Sequence, residues 1–169
     1  MELPLNALSR GNSVSGKLKR LFFWTCFASV ALMCVSKCRS HFMENSLRVS
    51  VSRVMVQKNI LIGHGDGYMF PMNSEDAEVC ASISGSIELT DAQFVGEAVA
   101  PACGGDCVIV SSPKLPEVVI WILASHCFVE VDEKMYQCNL SHIQGSRVSA
   151  HVFFLEALRN AIKSNKEAD

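Results

Sequence analysis

Eight cysteines and five histidines are the residues of this chain best equipped for chemistry. Thiolates and imidazoles act as nucleophiles, bases or metal ligands, but only when they come within reach of one another. The tightest pair is Cys103-Gly-Gly-Asp-Cys107. Its spacing is neither the Cys-x-x-Cys of thiol redox centres nor a usual zinc knuckle, and no second ligand pair lies at a fitting distance. A loop disulfide between Cys103 and Cys107, or two unpaired thiols, is the expectation. Cys38, Cys80, Cys127 and Cys138 also lie beyond the first apolar segment. In an oxidising compartment these six cysteines permit many pairings, while buried thiols on strands would look the same in sequence.

The remaining chemical candidates are weaker. His126 and Cys127 are adjacent, and neighbours on a strand point to opposite faces, so they cannot serve each other there. His64, next to Asp66, could meet Cys127 only through the fold. Glu75, Asp76 and Glu78 cluster without the ligand order of a calcium loop and read as a solvated turn. The run Asn59-Ile-Leu-Ile-Gly63-His-Gly65-Asp-Gly67 is similar to a strand entering a phosphate loop. Tyr68-Met-Phe-Pro71 follows where the phosphate-binding helix should begin, so a turn between strands is expected instead. Asn139-Leu-Ser141 fits a glycosylation acceptor, which matters only in a lumenal eukaryotic domain. These readings predict no catalytic centre, no metal site and no cofactor. A small Cys/His enzyme using Cys103, Cys107 or Cys127 stands as an alternative.

The elements that would position these residues fall into three parts. Residues 1–20 form a basic tail expected in the cytoplasm. Residues 21–36, LFFWTCFASVALMCVS, carry no charge and follow Lys17, Lys19 and Arg20. Positive charge is retained on the cytoplasmic side, so this segment is read as a signal-anchor helix that places the rest of the chain outside. Sixteen residues are short for a span; cleavage after Ser36 and a buried core helix are the alternatives.

From residue 41 to 148 the texture is short apolar runs divided by turn residues, which predicts a β-rich extracytoplasmic domain. Leu47, Val49 and Val51 alternate with polar residues. Further strands are expected at 59–62, 79–83, 86–90, 93–99, 107–111, 117–123, 127–131 and 134–138. Gly63 to Gly67, Asn73-Ser74, Pro113 and Asp132-Glu133 supply the turns. Residues 149–169 contain an amphipathic helix, from about Ala150 to Ser164, with Phe154, Leu155, Leu158, Ala161 and Ile162 on one side. The expected fold is mainly β, an antiparallel roll or sandwich with one membrane helix and one C-terminal helix covering an edge.

Charge bounds the partners. Residues 1–40 hold six basic side chains against one acidic, whereas residues 41–169 hold nine against sixteen. An acidic domain is a poor match for a phosphate backbone, so nucleic acid is excluded.

Residues 47–99 resemble the opening of LptC, the bitopic inner-membrane component of bacterial lipopolysaccharide export. Gly63, Asp66, Gly67, Tyr68, Phe70, Ala77 and Leu89 fall in similar places. The resemblance implies a periplasmic β-roll that receives amphipathic lipid and passes it along an apolar groove, without catalysis. The sequence thus predicts a single-pass, non-catalytic envelope module binding a lipid or a membrane-protein partner. A disulfide-stabilised secreted or lumenal interaction domain is the alternative.

Overall fold

The computed structural model describes residues 12–65, 67–87, 89–97, 99, 107–140 and 149–168, with side chains from Leu18 onward. The chain divides into two units, residues 1–39 and 40–169. Helix α1 runs from Asn12 to Met55, so the second unit begins inside it. The remaining elements are β1 (Leu61–His64), β2 (Met69–Pro71), α2 (Ser74–Ile83), β3 (Leu89–Glu97), β4 (Val108–Ser112), β5 (Leu115–Ile122), β6 (His126–Val131), β7 (Lys134–Leu140) and α3 (Ala150–Ala168).

All seven strands form one antiparallel sheet in the order β2-β1-β4-β5-β6-β7-β3. Alternation along each strand divides its side chains between two faces. Ile62, Val108, Val110, Val118, Ile120, Ile122, Cys127, Val129 and Cys138 point to one face and are almost fully buried. Leu47, Val51, Val54 and Met55 from α1, Ala77 and Cys80 from α2, and Phe154, Ala157, Leu158 and Ala161 from α3 complete this core. Helix α3 packs on β1, β2 and β4, at the end of the sheet that carries the shortest strand.

Three expectations are corrected here. The alternating segment 47–51 belongs to α1, not to a strand: Leu47 and Val51 are buried while Val49 is 59% exposed, which is helical periodicity. Residues 79–83 are the second half of α2. Asn73 caps that helix, its Oδ1 accepting from Asp76 N at 2.7 Å, so Glu75 and Asp76 are a helical first turn near the positive end of the dipole. Helical residues outnumber strand residues, and helices rather than a second sheet face the core, so the fold is a helix-covered sheet instead of a mainly β sandwich.

Turn chemistry sets the register. The glycine-rich run makes the β1–β2 hairpin, where Gly67 N donates to His64 O at 3.0 Å and Gly67 has φ +98°. At Gly63 the two strands come so close that a β-carbon would collide with the carbonyl of Tyr68 and the sulfur of Met69. Asp132 and Glu133, at φ +50° and +61°, join β6 to β7 as a two-residue turn with both residues left-handed.

Two stability changes follow. Glu133→Gly relieves a left-handed L-residue and is expected to raise unfolding free energy by about 0.5–1 kcal/mol, measured by urea denaturation. Gly63→Ala drives a side chain into the β2 backbone and should lower it by roughly 1–3 kcal/mol. An unchanged midpoint for Gly63→Ala would show that β2 moves freely away from β1.

Candidate functional site

The described part of the first unit is helical, and its large apolar side chains are exposed. Leu21, Phe22, Phe23, Trp24, Phe27, Val30, Leu32, Met33 and Val35 are all exposed, on every side of the helix. Within Leu18–Met55 lies an 18-residue window apolar enough to cross a membrane, and none of it is buried. A helix that served as the core of its own domain would bury that surface. Two of the three hydroxyls in residues 21–36 are satisfied by the helix itself. Thr25 Oγ1 donates to Phe22 O and Ser29 Oγ to Thr25 O, each at 2.8 Å, which suits a medium without water. Trp24 packs edge-on against Phe23 and Phe27, at 6.4 and 6.2 Å between ring centres. The chain therefore has one candidate membrane-spanning helix near its N-terminus.

Among the described residues of the second unit, His64 and His126 do not converge on the Cys127 thiol. Row by row across the sheet, His64 pairs with Val108, Val108 with Ile122, and Ile122 with Cys127. His64 and Cys127 thus stand three strand spacings apart, about 14 Å at ~4.8 Å per step, beyond hydrogen-bond reach. His126 is half-buried on the face opposite Cys127, and its Nδ1 lies 3.2 Å from Ser125 Oγ. Asp66 and Cys103 lie outside the described residues, so the structure gives no account of the Cys103–Cys107 disulfide; Cys107 itself is buried. Asp76 Oδ2 accepts from Asn73 and from Asn160 on α3, which ties α2 to α3. Among the described residues no group of three or more His, Cys, Asp or Glu side chains is placed to hold a metal.

The buried thiols are chemically quiet. Burial, helped by the nearby Asp76 carboxylate, pushes the Cys80 thiol up to about 12. A hydrogen bond with Cys138, together with burial, raises Cys127 well above the ordinary thiol range. Thiolate is the reactive form, so neither residue is an effective nucleophile near neutrality while it stays buried.

The other face of the sheet is different in kind. Leu61, Met69, Ile109, Val119, Trp121, Phe128 and Met135 point to it by register, and none belongs to the helix-packed core. Leu61, Met69, Val119, Trp121 and Phe128 stay half-buried. Among the described residues Trp121 Nε1, a buried donor, has no hydrogen-bond acceptor. Such donors are rare in folded proteins and cost about 1–3 kcal/mol when left unpaired. Sequence reasoning did not single out this face. Its signal was available in Val119, Trp121 and Phe128, which occupy the positions between the buried ones.

Site-resolved alkylation tests the thiol assignment. In detergent at pH 8, a maleimide should label exposed Cys38 within minutes, while Cys80, Cys127 and Cys138 react far more slowly in the native protein than after denaturation. Because its folded pKa is raised, Cys80 supports the fold below about pH 9 and progressively less as pH climbs toward 12. Rapid labelling of Cys127 in the native protein would restore a nucleophilic thiol and with it the enzyme reading.

No family model matches the chain, and no match was found among curated proteins or solved structures.

Proposed function

We propose that this protein is a single-pass membrane protein whose domain beyond residue 40 lies outside the cytoplasm and works by binding a partner. The observation that carries the reading is the apolar helix with no burial of its window: so much exposed aliphatic and aromatic surface needs a lipid environment. The orientation rests on charge: Arg10, Lys17, Lys19 and Arg20 precede the apolar segment, against Lys37 and Arg39 directly after it.

The partner is assigned as a protein. The LptC resemblance would give an apolar sheet face to acyl chains, but the more apolar face is filled here by Val54, Phe154, Leu158 and their neighbours. What remains for recognition is the second face, with its half-buried aromatic and aliphatic side chains, Trp121 and Phe128 among them. Aromatic residues with one polar atom are favoured anchors in protein interfaces. Binding suits a domain in which His64 stands about 14 Å from Cys127 and His126 lies on the opposite face of the sheet from it.

Two measurements test this. Alkaline-washed membranes should retain the chain at its full mass, and protease added from outside should digest the domain in intact cells or spheroplasts. A soluble product lacking the residues up to Ser36 overturns the anchor and supports the secreted-domain alternative. For the partner, a photo-crosslinking residue at Phe128 should give a discrete protein adduct that the same residue at exposed Lys114 does not. Lipid adducts alone at Phe128 would return the lipid-handling role.

A further inference from the structure

Cys127 and Cys138 face each other directly across β6 and β7, each with no exposed surface. The register that produces this pairing follows from the Asp132-Glu133 turn. In a two-residue hairpin the flanking residues, here Val131 and Lys134, form a hydrogen-bonded pair, and such pairs recur every second residue. Val129–Tyr136 and then Cys127–Cys138 are the next two. Opposed α-carbons at such sites stand about 5.5 Å apart, inside the span a disulfide tolerates. Their β-carbons are about 4.5–5.5 Å apart, somewhat wider than the ~3.8 Å a disulfide prefers, so the strands must draw together.

The neighbouring strand provides an opening. Along β3, Thr90 pairs with Asn139 and Gln93 with Gln137, so Asp91 and Ala92 together oppose the single residue Cys138. This is a β-bulge, with Asp91 at φ +53°, and the ladder is interrupted beside the thiol pair. A side-chain bond closes the bulge: Asn139 Nδ2 donates to Asp91 Oδ2 at 2.9 Å. β3 is also the last strand of the sheet, so it can lift without breaking a second ladder.

From this geometry we propose that Cys127 and Cys138 are a reversible redox pair, oxidised by a disulfide-bearing oxidant when the β3 bulge opens. One thiolate attacks a sulfur of the oxidant, giving a mixed disulfide and releasing one oxidant thiol. The second cysteine, losing its proton, then attacks the first, forming the Cys127–Cys138 bond and releasing the other thiol. Two protein thiols are oxidised and one oxidant disulfide is reduced. The bond crosslinks β6 and β7 near their open ends, opposite the Asp132-Glu133 turn. Because the strands must be pulled inward to make it, it is readily reduced again. This pair is distinct from Cys103 and Cys107, and it does not depend on which side of a membrane the domain occupies.

The test uses the full-length protein in detergent, incubated with oxidised glutathione, quenched with acid, and mapped by alkylation under denaturing conditions. The expected product is a peptide linked through Cys127 and Cys138, lost on dithiothreitol treatment, with exposed Cys38 carrying glutathione as proof that the oxidant acts. Asn139→Ala, which frees the bulge, should speed formation of the linked peptide by roughly tenfold, as expected for the loss of about 1.4 kcal/mol from the opening step. Cys127→Ala should leave Cys138 as a thiol. Links from Cys127 or Cys138 to any other cysteine overturn the proposal. So does glutathione on Cys38 with Cys127 and Cys138 still reduced in both the parent and Asn139→Ala.

Discussion

A single antiparallel sheet has two faces, and water leaves one of them only if helices are laid across it. In this protein that task falls on residues remote in sequence. Leu47, Val51, Val54 and Met55 come from the last turns of α1, Ala77 and Cys80 from α2, and Phe154, Ala157, Leu158 and Ala161 from α3. Each contributes a stripe that repeats every three or four residues, which is what a helix must do to keep one side buried. The sheet answers with Ile62, Val110, Ile120 and Val129, one from each of four neighbouring strands, aligned in one row by the register. Burying four such aliphatic side chains is worth about 1.5–3 kcal/mol each. Removing any one helix would strip cover from that row, so the domain is cooperative across its whole length.

The same constraint explains which parts of the structure were legible in the sequence. β4 through β7 were readable because Val, Ile, Cys and aromatic residues alternate there and Pro113 and Asp132-Glu133 mark the reversals. The C-terminal helix was readable because Phe154, Leu158 and Ala161 leave no strand interpretation. The segment 47–51 was ambiguous. Leu47, Val49 and Val51 satisfy a period of two, yet Leu47, Val51, Val54 and Met55 satisfy a helical repeat equally well, and β-branched residues bias the local reading toward a strand. What settles it is tertiary: a helix there can bury four residues at once against the sheet. At α2 the helical signal was present in Asn73 followed by Glu75 and Asp76, a cap with acids in the first turn, and the β-like run Val79–Ile83 masked it.

Pairings between distant residues were not legible at all. That Cys127 meets Cys138, and that His64 stands far from Cys127, are consequences of strand order and register. Those depend in turn on a two-residue turn and on where β1 enters the sheet. A cysteine count leaves these combinations open because loop closure restricts them only weakly. The unpartnered indole of Trp121 is equally a property of the assembled sheet.

The edges of the sheet show where association is discouraged. β2 is three residues long and ends at Pro71, which has no amide hydrogen to offer a neighbouring strand. β3 is longer, but its ladder shifts twice, between Thr90 and Gln93 and between Phe94 and Gly96, and Gly96 sits at φ +153°. Short, proline-ended or bulged edges resist strand addition. With both edges blunted and one face filled by helices, main-chain pairing is a poor route to a partner. Side-chain recognition on the second face remains, where Trp121 and Phe128 sit among aliphatic neighbours held in a flat array. Trp121 Nε1 is itself buried, so in the proposed binding role contact would be carried by the half-buried faces of Trp121, Phe128 and their aliphatic neighbours and not by a directed hydrogen bond.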